Sequence, residues 1–293
     1  MTPSPLVRGP RELRELSRRW RREGALVGLV PTMGALHEGH LSLVRRAREE
    51  CGRVVVSVFV NPTQFGEGED FERYPRDLGR DRRLLGEAGC DAVFAPAVED
   101  MYGGGTTDLS SGERVFVDAG RLGEVWEGRE RPGHFRGVAT VVAMLFNAAE
   151  PDRAYFGEKD YQQLKIIQKM ARELLFGVEV VPCPTVRDPD GLALSSRNAY
   201  LSAEERRAAV ALWRALRAAV DLARGGERDA RRLERAMEEV CRAEPLVRPQ
   251  YAAVVDAETL ERLRELGGRP ARALIAAYVG ETRLIDNAAL PFP

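Results

Sequence analysis

At 293 residues, 44% hydrophobic and 30% charged, the chain has material for an ample soluble core, arranged as one large or two modest domains. A formal net charge of −1 supplies no global basic field for nucleic acid, and no apolar run approaches the roughly 18 residues that a membrane helix needs. Cys51, Cys90, Cys183 and Cys241 lie far apart with no CxxC pair, so neither a disulfide framework nor a zinc ribbon is indicated, and a cytoplasmic setting is expected.

The arginine-rich start (Arg8, Arg11, Arg14, Arg18, Arg19, Arg21, Arg22) interleaves with Glu12, Glu15 and Glu23 around Leu13 and Leu16. That pattern predicts a surface helix over 11–23 and lacks the apolar core of a secretory signal. Residues 25–30 are an apolar run of strand length. They lead into Pro31-Thr-Met-Gly-Ala-Leu-His37-Glu-Gly-His40, and residues 41–50 then carry Leu41, Leu43, Val44 and Ala47 at helical spacing. The motif is therefore a strand–turn–helix. Pro31 is expected to stop the strand, and Gly34 and Gly39 permit angles or close approaches that a side chain would block. His37 and His40 share one face of a helical turn, and open amides at a helix start attract phosphate. A zinc site would need at least a third protein ligand; the only other histidine is His134, and the stretch is one residue short of the HExxH of metalloproteases. Phosphate is the better match.

Residues 53–60 are continuously apolar, as in a central parallel strand, and Asn61-Pro-Thr-Gln64-Phe65 ends the run. Residues 67–75 are polar and glycine-bearing, the pattern of a mobile loop and a lid. Helices are predicted over 77–88, 134–149 and 161–175, strands over 92–95, 154–156 and 178–181, and a hairpin over 106–118. Strands alternating with helices imply an α/β fold, a Rossmann-like parallel sheet with helices on both faces, whose ligands bind beyond the carboxyl ends of the strands. After about Asn198 the character changes. Amphipathic helices over 203–224 and 229–242, followed by short strands over 251–256, 273–279 and 283–286, predict a small α+β domain. The expected division is residues 1–187, binding nucleotide and substrate, and residues 188–293, a C-terminal lid domain.

Three further stretches carry chemistry. In Gly157-Glu158-Lys159-Asp160 the lysine is able to reach a triphosphate as a point charge, although the tetrapeptide alone suits a solvated turn. In Leu194-Ser195-Ser196-Arg197, two hydroxyls and a guanidinium fork make a phosphate clamp; a serine N-cap is the equal alternative. Gln64 and Gln163 offer paired donors and acceptors to a small polar substrate.

His-x-Gly-His after a strand resembles the signature of the nucleotidylyl-transferase superfamily. The ordered series of the His37–His40 motif, Phe59-Val-Asn-Pro-Thr-Gln-Phe65, Tyr74-Pro-Arg76, Arg131-Pro-Gly-His-Phe-Arg-Gly-Val138, Phe156-Gly-Glu-Lys-Asp-Tyr-Gln-Gln163 and Gly191-Leu-Ala-Leu-Ser-Ser-Arg-Asn198 is similar to the pantothenate synthetase (pantoate–β-alanine ligase) family. The likeness is strong over residues 25–201 and one of general layout beyond. It implies a Rossmann-like domain with a small C-terminal domain, a homodimer, and magnesium-dependent use of ATP to join pantoate to β-alanine through a pantoyl-adenylate. It also implies site residues. Met33, Gly34, Ala35, Leu36, His37, Glu38, Gly39 and His40 match a first ATP segment, with His40 as catalytic acid. Gly157, Glu158, Lys159 and Asp160 match a second, and Leu194, Ser195, Ser196 and Arg197 a segment against the phosphates; Val186 matches a further ATP contact. Gln64 matches a residue shared by pantoate and β-alanine, and Gln163 a pantoate contact. His37, His40, Lys159, Ser195, Ser196 and Arg197 are the expected catalytic set, and no magnesium ligand is assigned. Two other classes stay open: an adenylyltransferase acting on a phosphorylated acceptor, and a non-enzymatic nucleotide-binding protein.

Overall fold

The valines at 54–56 have no polar face, so they are satisfied only in a sheet covered on both sides. The computed structural model describes residues 4–104, 107–108 and 113–291. It places this run in β3 (Arg53–Val58), inside a six-stranded parallel sheet of order β1-β4-β3-β2-β5-β6. The other strands are β1 (Leu6–Val7), β2 (Val27–Thr32), β4 (Ala92–Phe94), β5 (Arg153–Gly157) and β6 (Glu179–Cys183). The helices of this part are α1 (Pro10–Arg22), α2 (Glu38–Glu50), α3 (Leu78–Glu87), α4 (Val98–Tyr102), α5 (Glu127–Glu130), α6 (His134–Ala149) and α7 (Tyr161–Glu173). On one side the core joins Leu36, Val44 and Ala47 to Val54, Val56, Leu85 and Val93. Strand order reverses between β2 and β5, the point where such sheets open a crevice for ligands.

Pro31 does not stop β2. The strand continues to Thr32, and Pro31 pairs with Ser57. Thr32 turns its polar groups to β3, accepting from Phe59 N (3.1 Å). Pro31, one residue earlier, therefore faces the β5 side, where pairing ends at Leu29 and Ala154. Its missing N–H is on the open side of the strand and breaks no ladder bond.

The chain divides into two compact units: Met1–Glu158 with Gln162–Pro184, and Lys159–Tyr161 with Thr185–Pro293. The second unit contains an antiparallel sheet, β7 (Val247–Asp256), β8 (Ala271–Val279) and β9 (Thr282–Ala289), in that order. Helices α9 (Val210–Arg224) and α10 (Ala230–Arg242) accompany it, and Leu212, Leu216, Leu233, Met237, Val254 and Ile275 share one core. The single helix expected over 203–224 is two, because α8 (Ala203–Ala208), started by a Ser202/Glu205 capping box, ends at Ala209 before α9. Of the hairpin expected over 106–118, Thr106 and residues 109–112 lie outside the described residues; residues 113–119 form no strand. No helix among the described residues is long and apolar enough to cross a membrane.

Candidate active site

The turn after β2 is shaped by backbone conformation and by one buried carboxylate. Gly34 (φ 84°) and Ala35 (φ 50°) both take left-handed angles. A Cβ on Gly34 would lie 3.0 Å from Asp81 Oδ2 and 3.0 Å from Val58 Cγ1, so glycine is required there. Ala35 N donates to Asp81 Oδ2 (3.0 Å) and Leu36 N to Asp81 Oδ1 (2.9 Å). Asp81 is 1% exposed; burial raises its pKa, and the two amide bonds work against that rise. Arg80 Nη1 holds the carbonyl of Leu36 at 2.9 Å.

The two imidazoles close the turn onto α2. His37, the N-cap, accepts at Nδ1 from Gly39 N (3.1 Å), and His40 Nδ1 accepts from His37 N (3.4 Å), a reciprocal capping box. Their ring centroids are 4.1 Å apart. This corrects the expectation of an open amide nest: the amides of Ala35, Leu36, His37 and Gly39 bond to Asp81 and to the imidazoles. A nitrogen that accepts carries no hydrogen in a neutral ring, so both histidines carry theirs on Nε2. The turn therefore carries two neighbouring imidazoles with their ring hydrogens on Nε2, and the four amides named above are already bonded.

Gln64 ends a short 3-10 turn, Pro62–Gln64, directly after β3, the strand next to β2. It is buried. Its Oε1 accepts from Asn61 Nδ2 (3.2 Å), so its Nε2 is oriented toward Met33 Sδ at 3.0 Å. Asn61, 1% exposed, also donates to Gly137 O and accepts from Tyr102 OH (2.7 Å). A Cβ on Gly137 would lie 2.2 Å from Thr63 O, so only glycine lets α6 approach this turn. His134 Nδ1 meets Gln64 O at 2.7 Å, Arg131 Nη1 meets His134 Nε2 at 3.0 Å, and Arg131 Nη2 reaches Glu69 Oε2 at 2.6 Å. The carbonyl only accepts and the guanidinium only donates, so His134 is neutral with its hydrogen on Nδ1. Desolvation, and then the Arg131 charge, push its pKa down to about 4. Burial alone would raise Glu69, but the Arg131 pair outweighs it and holds the carboxyl below its usual range. Within residues 67–75, read from the sequence as a mobile loop, Glu69 pairs with Arg131, Phe71 O accepts from Arg76 Nη2 (2.8 Å), and Phe71 and Tyr74 pack against Phe65. Gln163 is half-buried on the first turn of α7, which follows β5, the neighbour of β2 on its other side.

Of the remaining predicted residues, Gly157 and Glu158 belong to the first unit and the others to the second. Gly157 ends β5, and Glu158 begins the 3-10 turn Glu158–Asp160. Lys159 and Asp160 group with the second unit, Lys159 Nζ lying 3.4 Å from Asp160 Oδ1. In that unit Leu194 N donates to Val186 O (3.0 Å), which closes a turn ahead of Ser195. Ser195 caps the 3-10 helix Ser196–Tyr200, its Oγ accepting from Arg197 N (3.3 Å). The serine N-cap weighed as the alternative is thus present, and it orders Ser196 and Arg197.

Sequence reasoning overlooked Asp81, Asn61, Tyr102, Glu69, Arg131 and His134 as parts of this site. A signal for Asp81 existed: with Leu78 and Leu85 it falls on one helical stripe, an acid among apolar residues. Among the described residues no three His, Cys, Asp or Glu side chains gather to hold a metal.

The family described as Pantoate-beta-alanine ligase matches residues 5–289. A pantothenate synthetase of Rubrobacter xylanophilus is 87% identical over 291 residues, covering 99% of this chain and 100% of that protein. One from Moorella thermoacetica is 56% identical over 92% of this chain and 93% of its own. The crystal structure of pantothenate synthetase from Thermus thermophilus superposes with a TM-score of 0.87 at 52% identity, covering 98% of this chain and 100% of that one. A pantoate-beta-alanine ligase from Francisella tularensis, complexed with beta-gamma ATP and beta-alanine, has a TM-score of 0.78 at 31% identity over 98% of this chain and 97% of its own.

Proposed function

The chain belongs to the pantoate–β-alanine ligase family and joins pantoate to β-alanine with ATP, and we propose that it does so through a pantoyl-adenylate formed beside the His37–His40 turn. The observation that carries this is the imidazole pair at the start of α2, beside the strand-order reversal between β2 and β5.

The carboxylate of pantoate attacks the α-phosphorus of ATP, and the bond to pyrophosphate breaks. Negative charge builds on the α-phosphate oxygens and on the leaving group. The Nε2 hydrogens of His37 and His40 are donors oriented before the reaction, and stabilisation by preorganised donors is the largest single contribution in many enzymes. Gln64, its amide oriented by Asn61 and its carbonyl held by His134 and Arg131, is assigned to pantoate, together with Gln163. Lys159, Ser195, Ser196 and Arg197 of the second unit are assigned to the phosphates on the strength of the family resemblance. The amine of β-alanine then attacks the acyl carbon, and AMP leaves. Magnesium suits this chemistry as an ion carried on the ATP phosphates, since it typically takes one or two carboxylates besides phosphate oxygens and water. Asp160, beside Lys159, is a carboxylate in the matching segment. Asp160 would hold the ion, and the ion would neutralise charge on the phosphates. A homodimer is carried by the resemblance alone, and a cytoplasmic setting also by four cysteines that are all buried free thiols.

With ATP, magnesium and pantoate but no β-alanine, the enzyme should release a stoichiometric amount of pyrophosphate and then stall. Adding β-alanine should discharge pantothenate and AMP. Pyrophosphate appearing only after β-alanine would overturn the adenylate route, and ADP in place of AMP would overturn the superfamily chemistry.

A further inference from the structure

The end of β9 carries no assigned role, yet it ties together the two segments of the second unit matched to ATP phosphates. Asn287, 4% exposed, donates from Nδ2 to the main-chain carbonyl of Lys159 at 2.8 Å. Its Oδ1 accepts from Arg272 Nε at 2.6 Å, and Arg272 stacks 3.8 Å from the Tyr161 ring centroid. A donor on one side and a carbonyl on the other settle which way the amide points. The preceding residue, Asp286, is also 4% exposed and takes a bidentate bond from Arg187 (2.6 and 2.8 Å). Arg187 Nη1 further donates to Gly191 O (3.0 Å), and its guanidinium lies 3.9 Å from the Trp213 ring centroid. Gly191 (φ 100°) is packed so closely that a Cβ would meet Trp213 Cδ1 at 1.8 Å. Arg187 also pairs with Ala193 in an antiparallel bridge, which leads directly into Leu194, Ser195, Ser196 and Arg197. The link between the two halves is direct: Arg187 Nη2 bonds Asn287 O (3.3 Å), and Asn287 N bonds Asp286 Oδ1 (2.8 Å).

Resting on the function proposed above, we infer that Asn287 is a positioning residue for ATP: with Asp286 and Arg187 it holds Lys159 in register with the Ser195–Arg197 segment. Asn287 meets Lys159 at its main-chain carbonyl, so it acts through lysine placement and not through charge. Misplacing a catalytic group by about 1 Å can cost up to ~10²-fold in rate.

The test is a double-mutant cycle between Asn287 and Lys159. Asn287→Ala removes the amide. Asn287→Asp keeps its volume and the acceptor for Arg272 but sets an oxygen against the Lys159 carbonyl, and it carries the test if the alanine variant loses its fold. In the wild-type background, either change should lower kcat/KM for ATP by about 10- to 100-fold, with KM for pantoate unmoved. In a Lys159→Ala background the same change should have almost no further effect. An equal fold-loss in both backgrounds, a loss confined to pantoate, or no loss at all would overturn the inference. Affinity for ATP, titrated calorimetrically on every protein of the cycle, follows the same expectation without turnover. A wild-type chain that binds ATP but makes no pantothenate would thus count against the proposed function, while the cycle in ATP affinity still decides the role of Asn287.

Discussion

Protonation of His134 should undo the anchor beneath Gln64. The ring donates from Nδ1 to Gln64 O and accepts at Nε2 from Arg131, so a second proton would point at a guanidinium 3.0 Å away. Its folded pKa of about 4 lies below the ordinary 6.5. Between those values the unfolded chain binds a proton that the folded chain does not. This contribution to stability is therefore complete above pH 6.5, and it is lost as pH falls toward 4. The difference is worth roughly 3 kcal/mol, taking 1.36 kcal/mol for each tenfold change in proton affinity. Glu69, held below its usual range by Arg131, adds a loss of the same sign once the pH falls below its ordinary 4.5. The chain has three histidines, so imidazole proton resonances are assignable by substitution. One resonance should disappear in His134→Asn, and in the parent it should titrate near pH 4. In urea unfolding, the stability advantage of the parent over His134→Asn should shrink as pH falls from 6.5 to 4. A His134 midpoint near 6.5, or unfolding curves that stay parallel, would refute the neutral tautomer and the anchor built on it.

Asp81→Ala should leave the amides of Ala35 and Leu36 without their acceptor, at about 1–3 kcal/mol for buried groups; circular dichroism melts would register the loss, and adenylation should slow along with it. Gly137→Ala should destabilise by at least ~1–3 kcal/mol, the usual cost of overpacking, because the Thr63 backbone cannot yield; an unchanged melting temperature would contradict that contact. His40→Ala should lower single-turnover adenylation ~10²–10³-fold, the usual effect of losing one preorganised donor, and an unaltered rate removes it from the mechanism. Gln64→Ala and Gln163→Ala should raise KM for pantoate more than KM for ATP, and the reverse pattern would reassign them.

The alternation of apolar runs with helical stripes was enough to specify a parallel sheet followed by a small α+β unit, because burial on both faces forces a strand such as Val54–Val56 to be continuously apolar. The turn motif was equally legible, since glycine positions and paired histidines are local features. What the sequence could not disclose depends on residues distant along the chain. Pro31 ends a strand by its chemistry alone, yet here it continues one, because β5 leaves its open side unpaired. The motif amides looked available for phosphate until α3 brought Asp81 beneath them, 45 residues away from Leu36. The anchor on Gln64 joins residue 64 to residue 134, and the Lys159 carbonyl meets Asn287 across 128 positions. Hydrogen bonds of this kind need atoms within about 3 Å, and for partners so far apart only the tertiary fold decides which donor finds which acceptor.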